Sequence, residues 1–194
     1  MEKRHRVFIA INLPEDVKRA LAKYQEKWSE LPAKWTANDN LHITLEFLGQ
    51  LTDVEVGGAC KIVAEVSKCH SPFAMNLVKV LYGPPPRQGF AGRAPKFVWV
   101  NGERSDELAD LKNDLEESLL EKISFRPDGK GFTPHITLAR ILEWEFRKFE
   151  IDERPEINED IDILFTVESI EVMESKLKRG GPVYTILESH QFGL

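Results

Sequence analysis

The stretches LHITLEFLG (41–49) and FTPHITLAR (132–140) decide how this chain is to be read, because both carry the tetrapeptide His-Ile-Thr-Leu. Within each, apolar and polar residues alternate, which is the period of a half-buried strand. In a strand, residues i and i+2 share a face, about 6.5–7 Å apart. His42 and Thr44 therefore point one way, and Ile43 and Leu45 point the other way, into a core. His135 and Thr137 repeat the arrangement against Ile136 and Leu138. Each copy follows a helix and a turn-rich run, as expected of an internal duplication. Facing each other across a cleft, two such platforms would hold one group between two imidazoles and two hydroxyls. That set suits acid–base cleavage of a phosphodiester. One imidazole takes a proton from the nucleophile, the other gives one to the leaving oxygen, and the hydroxyls bond the non-bridging oxygens. Imidazole fits both tasks because it titrates near neutral pH.

Working outward, residues 6–12 read as a strand with Val7, Ile9 and Ile11 on one face and Phe8 and Ala10 on the other. Pro14, Glu15 and Asp16 suit the first turn of a helix that carries Val17, Leu21, Tyr24 and Trp28 at helical spacing. Thr52 and Glu55 form a capping box for a second helix to about Lys68, against which Gly57 and Gly58 count. Residues 73–81 and 96–100 read as strands joined by a Pro/Gly-rich loop, 83–95. Ser105 caps a helix over 105–122 whose stripe is Leu108, Leu111, Leu115 and Leu119. Strands follow at 161–174 and 182–188, around a turn at Gly180-Gly181, while 142–160 is charged and ambiguous. Neighbouring strands without helices between them imply antiparallel pairing, hence an α+β fold in one domain spanning 1–194.

The chain has 194 residues and a formal net charge of −6. That balance argues against a protein that coats duplex DNA, which needs a basic surface, but leaves room for an anionic substrate in a locally basic cleft. Two cysteines exclude a disulfide scaffold. Cys60 and Cys69, nine apart on one helix, would lie on opposite faces. No apolar run approaches the ~20 residues of a membrane span, and no secretory signal is evident, so a cytoplasmic protein without a membrane partner is expected.

The paired motifs resemble the two signatures of the two-histidine (2H) phosphoesterases, and within them the RNA 2′,3′-cyclic phosphodiesterases, also called the 2′-5′ RNA ligase family. RVFIAINLP (6–14) is similar to the family's first strand. LHITLEFLG and FTPHITLAR are similar to its motif strands, and SKLKRGGPVYTIL (175–187) to its closing hairpin. The resemblance implies a bilobed fold in which two antiparallel sheets line a central cleft with helices outside, related by a pseudo-twofold duplication. It implies hydrolysis of a 2′,3′-cyclic phosphate RNA end to a 2′-phosphate without a cofactor or metal, and the reverse joining of tRNA halves through a 2′-5′ bond. It implies His42 as proton donor and His135 as proton acceptor, two roles that identical motifs cannot separate on their own. Thr44 and Thr137 would bind the phosphate. The family often has an Arg where Arg140 stands. Strict strand alternation puts Arg140 on the face of Ile136, so it reaches phosphate only if the strand bulges or ends there.

Three basic segments are candidates for a rim that receives RNA: Arg87, Arg93 and Lys96; Arg126 and Lys130 with Arg140; and Lys176, Lys178 and Arg179. Phe8 and Tyr184 are candidates to stack a base. His5, His70 and His190 lack a paired hydroxyl and read as surface residues. The alternative is a binding module that captures a nucleotide or RNA end in the same cleft without chemistry. A metal hydrolase is disfavoured, since there is no HExxH helix and no recognisable carboxylate ligand pattern. A monomer is expected, because a cleft between two halves of one chain needs no partner chain.

Overall fold

The structure, a computed structural model, describes residues 2–85, 94–123, 125, 127 and 131–193. The elements run β1 (Arg4–Asn12), α1 (Glu15–Lys27), β2 (Ala33–Trp35), β3 (His42–Thr52), α2 (Asp53–Ser67), β4 (Phe73–Gly83), β5 (Phe97–Gly102), α3 (Asp106–Lys122), β6 (His135–Ile141), α4 (Glu143–Phe146), β7 (Asn158–Val167), β8 (Ser169–Lys178) and β9 (Gly181–Gln191). Short 3-10 turns lie at Asn38–Asn40 and Ile151–Glu153.

The expected α+β class holds. The described strands form one nine-stranded sheet in the order β7-β4-β5-β6-β3-β1-β8-β9, with β2 beside β6, and the pairings are antiparallel. The two motif strands, β3 and β6, meet at the centre of that order. They are joined by a single pair, Ile43 opposite Ile136. Past that pair β2 occupies the flank of β6, setting Ala33, Lys34 and Trp35 against Ile141, Arg140 and Ala139. The Thr36 N–H then donates to the Leu138 carbonyl at 2.8 Å. Where the resemblance implies two sheets, the described strands form one continuous sheet that narrows between the motif strands to this single pair.

One face of the sheet is covered by helices. Val7, Ile9, Ile11, Ile43 and Ile136 pack there with Val17 and Leu21 of α1, Val63 of α2, and Leu108, Leu111 and Leu115 of α3. The opposite face carries a smaller apolar group, Phe8, Ala10 and Met173, with Tyr184 against it. The helix starts follow the expected caps. Thr52 Oγ1 accepts the Glu55 N–H while Glu55 accepts the Thr52 N–H, and Ser105 Oγ accepts the Leu108 N–H. Packing of Ala59, Ile62 and Val63 carries α2 through Gly57 and Gly58.

Three expectations are corrected. The run 161–174 is not one strand: β7 ends at Val167, and β8 starts at Ser169 after a break at Glu168. The hairpin of β8 and β9 is longer than the pattern suggested, spanning Ser169–Gln191. His5 is not a surface residue. It is buried, with Nδ1 2.6 Å from Glu174 and Nε2 2.8 Å from Asp53, so polar partners rather than water satisfy its ring. Cys60 is buried on α2, and Cys69 is exposed in the turn past the end of that helix rather than on it as expected; burial pushes the Cys60 thiol up to about 11. Among the described residues, no helix is long and apolar enough to cross a membrane.

Candidate active site

The open face of the sheet presents His42, Thr44, His135 and Thr137 around the central seam. Ile43 and Ile136 are opposite one another and fully buried on the helix side. The residues flanking each therefore emerge together on the other side. All four are half-buried. The two imidazoles are close enough to sense each other, since charge on His135 is one of the causes lowering the His42 pKa.

Both rings are held alike. His42 Nδ1 lies 2.7 Å from the Asn40 carbonyl, and His135 Nδ1 lies 2.8 Å from the Thr133 carbonyl. A carbonyl can only accept, so each Nδ1 carries the hydrogen and each Nε2 of the neutral ring keeps its lone pair. Nε2 of His42 is 2.9 Å from Thr44 Oγ1. In the neutral ring that nitrogen accepts the hydroxyl hydrogen. Burial is the largest cause moving both imidazoles below the ordinary 6.5. The backbone carbonyls oppose it, and at His42 the charges of His135 and Lys18 add to it. Lys18, on α1, is itself buried and bonded to Glu15 at 3.2 Å, and the sequence pattern did not mark it.

Arg140 lies on the face of His135 after all. Along β6, His135 is opposite Asn101, Thr137 opposite Trp99, and Arg140 opposite Phe97. Leu138 is the extra residue, and this bulge restores to Arg140 the orientation that strict alternation denies it. The Arg140 guanidinium lies 5.9 Å from the Phe97 ring centre. The first copy bulges at the matching residue, Leu45: Thr44 is opposite Ala10, His42 opposite Asn12, and Phe47 opposite Phe8. Phe47, 60% exposed, thus occupies in the first copy the place of Arg140 in the second.

These registers expose a second repeat. Phe8-Ile-Ala-Ile-Asn12 and Phe97-Val-Trp-Val-Asn101 share Phe, two aliphatic residues and Asn at the same spacing, each on the strand beside a motif strand. Asn12 and Asn101 stand opposite the two histidines, and Ala10 and Trp99 opposite the two threonines. The signal was present in the sequence as a shared five-residue pattern, but aliphatic strands are too common for it to stand out without the pairing.

The aromatic surroundings differ between the halves. His42 meets the edge of Tyr184 (5.1 Å, 86°) and a tilted Phe8 (5.0 Å, 37°). Phe8 also touches Tyr184 at 5.1 Å and is only 3% exposed, so it backs the His42 ring and has no face free for a base. Tyr184 is half-buried, and burial raises its phenol pKa. His135 instead stacks on Trp99. Asn40 ties the β8–β9 hairpin to the His42 side: its Nδ2 donates to the Pro182 carbonyl at 2.8 Å, and its Oδ1 accepts the Tyr184 N–H at 3.2 Å.

Of the basic segments, Arg87, Arg93, Arg126 and Lys130 lie outside the described residues. Lys96 and Arg179 are exposed. Lys176 is bonded to Glu174 at 2.7 Å on the strand side shared with Val172, so it and Lys178 alternate away from the open face that carries Met173. Lys34, opposite Arg140, is a basic neighbour that the sequence reading missed. Among the described residues, no group of three or more His, Cys, Asp or Glu side chains is placed to hold a metal ion.

The chain is similar to known proteins over most of its length. The family model described as LigT-like phosphoesterase matches residues 11–90 and 98–184. A Thermus thermophilus protein named RNA 2′,3′-cyclic phosphodiesterase is 30% identical, covering 94% of this chain and 88% of its own. One of the same name from Methanocaldococcus jannaschii is 26% identical, covering 94% and 98%. A crystal structure of a Thermus thermophilus protein superposes with a TM-score of 0.81 at 27% identity, covering 96% of this chain and 97% of that one.

Proposed function

This chain belongs to the LigT-like phosphoesterases, and on that premise we propose that it hydrolyses RNA 2′,3′-cyclic phosphate ends to 2′-phosphates by two-histidine acid–base catalysis. The observation that carries the reading is the pair of imidazoles at the seam, each with Nδ1 on a carbonyl and Nε2 turned to reactive use. In the reaction, Nε2 of His135 takes a proton from water. The water oxygen bonds to phosphorus, the bond from phosphorus to O3′ breaks, and protonated His42 gives its Nε2 hydrogen to O3′. Thr44 and Thr137 donate hydroxyl hydrogens to the non-bridging oxygens, and the Arg140 guanidinium balances their charge. Each proton transfer is worth about 10²–10⁴-fold.

The names of the relatives support RNA as the substrate class, and Tyr184, against the His42 ring, is an aromatic residue beside the site that would meet a base. A 5′-hydroxyl in place of water gives a 2′-5′ bond with the same proton transfers, which is the joining of tRNA halves. One chain supplies every group, so the unit is the monomer, and no metal takes part.

The test is product analysis on an oligonucleotide ending in a 2′,3′-cyclic phosphate. A 2′-phosphate product, formed equally in EDTA and lost in His42→Ala and His135→Ala, is expected. A folded protein that binds the oligonucleotide and leaves it intact would instead be a binding module. Near-full activity in either variant would sink the two-imidazole mechanism.

A further inference from the structure

We propose that Trp99 is a positioning residue for His135: its indole, lodged in a space that Gly83 leaves open, fixes the imidazole with Nε2 towards the cleft and steadies the imidazolium formed when the ring takes a proton. This rests on the acid–base reading above. The His135 and Trp99 rings lie 3.9 Å apart, centre to centre, at an interplanar angle of 28°, a face-to-face stack. A cation over an indole face is attracted to its π cloud, so the stack favours the charged ring over the neutral one. The hydrogen bond to the Thr133 carbonyl holds one edge of the imidazole and the indole covers one face. Together they leave Nε2 as the atom free to reach substrate.

Gly83 makes the stack feasible. It ends β4, opposite Phe97, and a Cβ placed on it would collide with the indole, 2.1 Å from Cδ2 of Trp99. Its backbone is not in the left-handed region, so space, not conformation, calls for glycine here. His42 has no counterpart of this device. The equivalent register position is Ala10, and its ring meets Tyr184 edge-on and Phe8 at a tilt. The two imidazoles are therefore supported differently, and the indole belongs to the one assigned to accept a proton.

Trp99→Leu keeps an apolar cover and removes the π face, Trp99→Phe keeps a face, and Gly83→Ala displaces the indole. In turnover of a 2′,3′-cyclic nucleotide, kcat is expected to fall about tenfold in Trp99→Leu with KM within about twofold, and Trp99→Phe should recover most of the loss. The titration of His135, followed by NMR without substrate, should move to lower pH in Trp99→Leu and stay near the parent value in Trp99→Phe. Gly83→Ala should lower kcat in the parent and have no further effect in Trp99→Ala, where no ring remains to collide. A rise in KM at constant kcat would make Trp99 a platform for the base and overturn the proposal, as would an unmoved His135 titration or additive losses in the double variant. The titration needs no turnover, so a parent protein inactive on cyclic phosphates would refute the proposed function and still leave the role of Trp99 decided.

Discussion

His42 and His135 carry the same Nδ1 hydrogen bond in two different aromatic environments. Both are moved below 6.5, chiefly by burial. If one must be neutral and the other protonated, both limbs of kcat/KM against pH follow these free-enzyme values. The bell should therefore lie on the acid side of a free imidazole, which a pH–rate profile measures directly. Stability should respond too. Between the lowered folded values and 6.5 the unfolded chain binds more protons, so the contribution is complete above about pH 6.5 and shrinks as pH falls. Urea midpoints at about pH 7.5 and about pH 5.5 should differ less once both histidines are replaced by Gln. The His-x-Thr pairs were legible because alternation assigns their faces without any knowledge of neighbours. Arg140 was not, since its face depends on the bulge at Leu138, and nothing in Thr-Leu-Ala announces a bulge.

Strand β3 is bolted to α3 just beyond its motif. Glu46, the residue after the Leu45 bulge, is buried on the helix side and paired with Lys112, which also bonds Glu116 at 3.0 Å. Breaking a buried pair from one side leaves a charge without compensation, at about 3–5 kcal/mol. Lys112→Met should therefore destabilise more than Glu46→Gln, in which the remaining lysine keeps Glu116. Chemical denaturation of the two variants compares them, and equal losses would mean that Glu46 is already solvated. Neither partner could have been matched from the sequence, because their contact depends on how α3 crosses the sheet. The long elements were legible from their stripes and caps. The three-residue β2 is too short to carry a period, and Glu168, where the strand breaks, is only one of several acidic residues recurring through an apolar run, so it does not stand out.

The molecule as a whole brings together two stretches far apart in the chain at a seam of one residue pair, Ile43 and Ile136. A nucleotide bearing a 2′-phosphate would touch groups from both sides and so stabilise the folded state by mass action, by about 2.7 kcal/mol at a hundredfold excess over Kd. For a chain of this size that is a rise in Tm of roughly 5–11 °C, readable by calorimetry. His42→Ala should keep a good part of the rise while losing turnover, which separates capture from chemistry. The net charge of −6 does not oppose such a ligand, because the open face offers Arg140 and Lys34 side by side.

Asn40 joins two parts of that face. Its side chain grips the outer hairpin at Pro182 and Tyr184, and its carbonyl holds Nδ1 of His42. A shift of that arm would reach the His42 ring through a single amide residue, so on the proposed mechanism a ligand that pressed on the hairpin would also turn the imidazole that faces it.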